Sequence, residues 1–272
     1  MIPPTSIDGT DITGATIDGT DVQEITVDGD VVFSAAPTLP VAYSNLVAWW
    51  PFDSAEYGGS NEDDVTAIIG GSGDNTAYDG TINGVTYQSS AGVTDLNAGT
   101  TSGAFDFPGN NNYIEVANSG GLDGFAEITC TAWTFVENVG GNAIGGKYYD
   151  GSNRSWWFRY VNNDLNVLLA TDTQNANNQA TATNVGSANA WVHCAFTWSG
   201  SSNTITIYVD GQQEGTGTSS GNTVRENTAD FYIGKQGPNS SLGFDGIMDD
   251  VRIYNTALTQ TQIDQIYQNT EP

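Results

Sequence analysis

One histidine (His193), two cysteines (Cys130 and Cys194) and 32 Asp plus Glu are the groups with which this 272-residue chain could do chemistry. A lone histidine removes multi-histidine zinc sites, and no nucleophile-elbow motif surrounds a serine, so acyl transfer has no visible machinery. Carboxylates are plentiful, but glycoside hydrolysis needs two of them held on one face. On a strand that means alternate positions. Asp106 stands alone in its apolar run, and Glu62-Asp63-Asp64 sits in a Gly/Ser-rich stretch. Asp249 and Asp250 are consecutive, so their side chains are expected on opposite faces. No catalytic residue is expected. Recognition is better provided for. Tyr148-Tyr149-Asp150-Gly151-Ser152-Asn153-Arg154 reads as a loop rich in aromatic and polar groups. The strand that follows, 155–161, sets Trp157, Arg159 and Val161 opposite Trp156, Phe158 and Tyr160. An arginine on the first of these faces argues that it is not the dry core. Tyr148, Tyr149, Trp157 and Arg159 are therefore the candidate ligand-binding residues. The competing reading packs Trp157 under a loop and pairs Arg159 with an acid.

The cations sharpen this. There are six, Lys147, Arg154, Arg159, Arg225, Lys235 and Arg252, so the net charge is -26 and residues 1–146 hold no cation at all. Binding to nucleic acid needs clustered cations and is excluded on this ground. An anionic membrane surface is disfavoured likewise. No apolar stretch approaches the 18 residues of a span, so membrane insertion is not expected. Self-repulsion at this charge is relieved only at high salt, where the screening length falls to ~3 Å at 1 M. The composition fits a hypersaline setting, with an acidic extracellular protein as the alternative. Met1-Ile2-Pro3-Pro4 lacks a signal peptide's basic start and apolar stretch. Synthesis in the cytoplasm without general export is expected, and with it two reduced thiols at Cys130 and Cys194; a disulfide stays open if their strands are neighbours.

The elements that must position these groups are short strands. Residues 6–33 repeat with a period of ten, each unit placing Asp-Gly between β-branched residues, a hairpin signal. Strands so short need a partner surface. Ile7, Ile17 and Val27, in register, are the candidate oligomerisation residues. The segment 1–36 is read as an attachment or oligomerisation module, a trimer favoured, with a β-meander packed on the main domain as the alternative. Residues 37–43, carrying Pro37 and Pro40, form the linker. In 44–272 strands are expected at 46–52, 104–107, 113–116, 127–135, 155–161, 165–169, 191–198, 204–209, 231–233 and 246–254, with apolar residues alternating in runs such as Val192/Cys194/Phe196/Trp198 and Ile205/Ile207/Val209 between Gly/Asn/Asp/Ser turns. This predicts an all-β, two-sheet antiparallel sandwich. One helix closes the chain, with Thr259 and Gln262 as a capping box and Ile263, Ile266 and Tyr267 as its buried stripe.

An ordered set of motifs carries a resemblance. It runs from Leu46-Val47-Ala48-Trp49-Trp50-Pro51-Phe52-Asp53 through Gly103-Ala104-Phe105-Asp106-Phe107, Asn112-Tyr113-Ile114-Glu115-Val116, Ile128-Thr129-Cys130-Thr131-Ala132-Trp133 and Trp191-Val192-His193-Cys194-Ala195-Phe196-Thr197. It ends with Ile207-Tyr208-Val209-Asp210-Gly211 and Phe244-Asp245-Gly246-Ile247-Met248-Asp249-Asp250-Val251-Arg252-Ile253-Tyr254-Asn255. In this order they resemble the laminin-G-like, concanavalin A-like lectin/glucanase jelly roll. The resemblance implies stacked sheets, a structural His193 and a structural calcium for which Asp53, Asp249 and Asp250 are candidates; plain hydrogen bonding, or pairing with Arg252, is the alternative. The carboxylate-alternating strand of the family's glucanases is missing. The Asp-Gly repeat resembles segments of tail and appendage proteins of haloarchaeal tailed viruses. The resulting expectation is a non-enzymatic virion appendage of a halophilic virus, a turret, spike or tail fibre. It would bind a host-surface glycan or glycoprotein and other virion proteins. A carbohydrate-binding adhesin of a halophilic microbe and a glycoside hydrolase are the alternatives.

Overall fold

The computed structural model describes residues 6–7, 10–11, 16–17, 20–21, 24–27, 30–34, 45–52, 61–62, 78–89, 91–93, 103–109, 112–118, 121–148, 154–173 and 178–270. The chain divides into two compact units, 1–40 and 41–272. The first holds three separate antiparallel hairpins. β1 (Ser6–Ile7) pairs with β2 (Thr10–Asp11), β3 (Thr16–Ile17) with β4 (Thr20–Asp21) and β5 (Glu24–Val27) with β6 (Asp30–Ser34). Ile7, Ile17 and Val27 thus lie on three different strand pairs. A two-residue Asp-Gly connection returns each unit on itself before the next unit can pair with it.

The second unit opens with β7 (Leu46–Trp50), β8 (Asn61–Glu62), β9 (Gly80–Asn83), β10 (Thr86–Gln88), β11 (Ala104–Pro108), β12 (Tyr113–Val116) and β13 (Glu127–Val136). β14 (Asn142–Tyr148), β15 (Arg154–Val161), β16 (Asp164–Leu169), β17 (Asn178–Ala182), β18 (Trp191–Ser199) and β19 (Thr204–Val209) follow. β20 (Gln212–Thr218), β21 (Phe231–Ile233), β22 (Asp245–Tyr254) and the helix α1 (Gln260–Thr270) complete it. One sheet runs β10-β11-β22-β13-β18-β19-β20, with β7 also paired to β22; the other runs β17-β16-β15-β14-β21-β12-β9-β8.

The alternation read in the sequence becomes the space between the sheets. Cys130, Val192, Cys194, Phe196 and Trp198 of the first sheet meet Trp156, Phe158, Tyr160, Val167 and Phe231 of the second in one core. Trp156 is fully buried, with ring centroids 5.7 Å from Phe196 and 5.4 Å from Phe231, and its indole N–H donates to the Leu122 carbonyl at 2.9 Å. Both cysteines are free. They sit on paired strands but not opposite each other, since Cys130 faces Phe196 and Cys194 faces Ala132. Burial pushes the Cys194 thiol up to about 12 and the Cys130 thiol higher still, so neither is a ready nucleophile.

The opposite face of the first sheet is covered by α1. Gln262 N–H donates to Thr259 Oγ1 and the Thr259 N–H to Gln262 Oε1, the reciprocal capping box. Trp133 Nε1 donates to Thr270 Oγ1 at 2.7 Å, and His193 is buried between Trp133 and Tyr267. Burial, with the Arg252 charge, drives His193 down to about 3, so it stays neutral at ordinary pH.

Candidate functional site

The hairpin of β14 and β15 gathers three of the four predicted ligand-binding residues. The stretch read as a loop is partly strand: Tyr148 ends β14, Arg154 opens β15, and the two face each other in register. Tyr149 lies outside the described residues. Alternation along β15 sends Trp156, Phe158 and Tyr160 inward and leaves Trp157 and Arg159 on the outer face. There Tyr148 and Trp157 stack, centroids 5.8 Å apart and planes at 22°. The Arg159 guanidinium lies 4.1 Å from the Trp157 ring centroid, and that of Arg154 lies 5.6 Å from Tyr148. Ala143 and Leu168 complete this small apolar cluster, separate from the main core. Trp157 is only 3% exposed, so it is not an open stacking platform for a sugar ring. Its cover includes the Arg159 side chain, whose Nε donates to Asn166 Oδ1 at 3.1 Å rather than to an acid.

A second site was not legible in the sequence. Pro108, Gly109, Asn138, Gly140, Gly141, Asn142, Gly243 and Asp245 line an open, polar cavity of about 300 Å³ at one end of the sandwich. Asn142, the buried first residue of β14, builds it. Its side chain donates to the Asn138 carbonyl at 2.6 Å and accepts the Asp245 N–H at 2.8 Å, tying the β13–β14 connection to the start of β22. The glycines make the space. A Cβ at Gly140 would meet nothing nearer than Asn138 Oδ1 at 3.7 Å, one at Gly141 the Leu242 side chain at 3.5 Å, and one at Gly109 Asp245 Oδ1 at 3.9 Å. Leu242, beside Gly141, is the one exposed large apolar residue among the described residues. A carboxylate, an amide, bare backbone and an apolar rim can grip a polyhydroxylated ring from several sides. Burial and the Asp245 charge raise the Asp106 carboxyl above the usual carboxylate range.

The calcium set fares differently. Asp53 lies outside the described residues. β22 bulges against β13 between Thr131 and Trp133, with Asp250 at φ 52°, so simple alternation does not govern the Asp249-Asp250 pair. Asp249 accepts the Val93 N–H at 2.8 Å on Oδ2 and the Asp250 N–H at 2.8 Å on Oδ1. Asp250 Oδ1 accepts Trp49 Nε1 at 2.6 Å and Arg252 Nε at 2.9 Å. A guanidinium on that oxygen opposes the all-oxygen shell that calcium requires, so Asp250 does not fit the ion, while both Asp249 oxygens already accept backbone N–H groups. Among the described residues no three His, Cys, Asp or Glu come together to hold a metal. Calcium and chelator are therefore expected to leave the thermal midpoint unchanged. A bound ion at 100 times its Kd would add about 2.7 kcal/mol, a rise of roughly 5–10 °C for a domain of this size. Differential scanning calorimetry with and without calcium decides it.

Two stacked antiparallel sheets with a polar cavity at their rim define a lectin-like jelly roll. The family model described as the concanavalin A-like lectin/glucanases superfamily, of laminin G type, matches residues 108–264, and the chain belongs to that superfamily. Among solved structures, domain 4 of AbnA is similar at 17% identity and TM-score 0.56, over 82% of this chain and 98% of that one. AbnA is an extracellular GH43 arabinanase from Geobacillus stearothermophilus, and that domain is in complex with arabinotriose. The binding domain of Paraclostridial Mosquitocidal Protein 1 is similar at 13% identity and TM-score 0.55, over 83% of this chain and 52% of that one. The receptor binding domain of botulinum neurotoxin C/D mosaic serotype gives 11%, 0.58, 83% and 51%. This chain thus spans about half the length of the two toxin domains. At these identities the likeness is one of fold. Among curated proteins none matches the chain in sequence. No helix among the described residues is long and apolar enough to cross a membrane.

Proposed function

We propose that this chain is a non-catalytic carbohydrate-binding protein that holds a glycan in the polar cavity around Asp245, Asn138 and the glycines 109, 140 and 141. The cavity carries the reading: it is open, made by missing side chains, and lined by hydroxyl-binding groups beside one exposed leucine. The arabinotriose held by a domain of the same fold supports it. The chain works as a virion appendage of a halophilic virus, displaying the jelly roll toward a host-surface glycan or glycoprotein. The hairpin unit trimerises it or docks it on other virion proteins. The charge of -26 and the repeated hairpins support this setting.

The test is glycan-array binding in about 2–3 M salt, where charge repulsion is screened. A neutral oligosaccharide is expected to bind, and Gly140→Leu, which fills the cavity, is expected to weaken it at least tenfold. Gly140 is not among the positive-φ glycines, so the leucine adds no backbone strain. Binding unchanged by Gly140→Leu and Asp245→Ala would place the ligand elsewhere. Hydrolysis of the bound glycan would end the non-catalytic reading. Purified particles that lack the chain would remove the virion role and leave glycan binding standing.

A further inference from the structure

We propose that the outer face of the β14–β15 hairpin is a second binding site, selective for the carboxylate of an acidic sugar. The inference deepens the glycan reading above and rests on it for the class of ligand, but it is carried by different residues. Arg154, Tyr148, Trp157 and Arg159 form a continuous ladder of cation, ring, ring and cation. The chain has 32 acids and six cations, yet these two arginines rest on aromatic rings. Lys147 and Arg252 do the ordinary thing, pairing at 2.8 Å with Asp123 and Asp250. An arginine stacked on a ring keeps its N–H edge turned outward, in the planar fork that matches a carboxylate.

A second observation points the same way. Trp157 Nε1, Arg154 Nε and Ser155 Oγ are buried and have no hydrogen-bond partner among the described residues. The tryptophan is 97% covered and the serine wholly so. Buried polar groups are nearly always satisfied, and unpartnered ones at one place need a reason. Two of these three can only donate, so what satisfies them is an acceptor. Donors without acceptors, flanked by two guanidiniums that pair with no acid among the described residues, are the complement of an anionic, oxygen-rich group. A sugar carboxylate supplies the charge, and its ring oxygens and hydroxyls supply further acceptors. The overall negative charge does not forbid this, because at 0.15 M salt exposed charges farther than about 8 Å from the ligand are largely screened.

The experiment is isothermal titration of trigalacturonic acid and of its neutral trimethyl ester at 0.15 M salt. The acid is expected to bind at least tenfold more tightly than the ester. Arg154→Gln/Arg159→Gln should remove at least tenfold of the acid's affinity, and Gly140→Leu should leave it unchanged. Arg159→Lys, which keeps the charge and loses the fork, should fall between wild type and the double variant. Circular dichroism melts confirm that each variant is folded, and Arg154→Gln alone serves if the double variant is not. The inference is overturned if acid and ester bind equally, if the folded arginine variants bind like wild type, or if neither compound binds. A wild-type protein that binds the acid but no neutral glycan would sink the cavity reading and leave this one standing.

Discussion

Arg252→Met is expected to cost about 3–5 kcal/mol of folding stability, the toll of leaving a buried charge without its partner. Arg252 is wholly buried and Asp250 is 5% exposed. Their ion pair closes at 2.8 Å, and the guanidinium also lies 4.5 Å from the Trp49 ring centroid. With methionine in place, the Asp250 carboxylate keeps only the Trp49 indole N–H among its side-chain donors. Little of it is open to water, and the desolvation already suffered by the charge is no longer offset. The double variant Asp250→Asn/Arg252→Met removes both charges, keeps an acceptor for the Trp49 N–H and a residue that tolerates the φ of 52°, and should recover much of the loss, since a buried pair often contributes little net stability over neutral residues of similar size. Denaturant unfolding at constant slope measures both. Adding 1 M salt should not rescue the single variant, because a buried charge is poorly screened. A loss below about 1 kcal/mol would mean that the pair is solvated and that the outer face of the first sheet is not sealed.

Trp156→Ala is expected to cost a similar amount, about 3–5 kcal/mol, for a different reason. Its ring fills the middle of the sandwich between Phe196 and Phe231, and both sheets would have to shift to close the void. The Leu122 carbonyl would also lose its donor. The next residue is the control. Trp157→Ala removes the same side chain from the outer face, where the apolar cluster is small and a flexible arginine can relax over the gap. Its cost should be smaller, about 1–3 kcal/mol, and it should fall chiefly on acidic-sugar binding. Equal losses at the two positions would contradict the assignment of faces along β15.

Several elements were readable from local pattern alone. The strands at 113–116, 204–209 and 231–233 agree to the residue with β12, β19 and β21, and most others within one or two residues. They are rich in β-branched and aromatic residues, which fit a strand's pleated surface. The capping box of α1 was equally plain, since it is built from residues three apart. The strands that escaped are β8, β9, β10, β14, β17 and β20. Asn142–Tyr148 contains two glycines, a lysine and no alternation, yet it lies at the centre of the second sheet and is buried throughout. Its strand conformation comes from β15 and β21 on either side, not from its own propensities. With no such signal in β14, neither Asn142 as the builder of the cavity nor Tyr148 as a strand residue is legible from local pattern.

The same division runs through the binding surfaces. Which face of 155–161 carries Trp157 and Arg159 follows from a period of two and needs no neighbour. What those side chains do there is a matter of contacts. Stacking on Tyr148, the choice of Asn166 over an acid and the unmet indole N–H all depend on strands distant in sequence. The cavity is more extreme, since its lining comes from near residues 108, 140 and 244 and no local signal links them. By itself the sequence determined the sandwich, its core residues, the closing helix and the burden of negative charge. These are sums over local periodicity and composition. Only the tertiary structure decided that Asp250 pairs with Arg252 and where an open polar space remains. Those outcomes rest on which backbone groups and charges are left unpaired once every strand has found its neighbour.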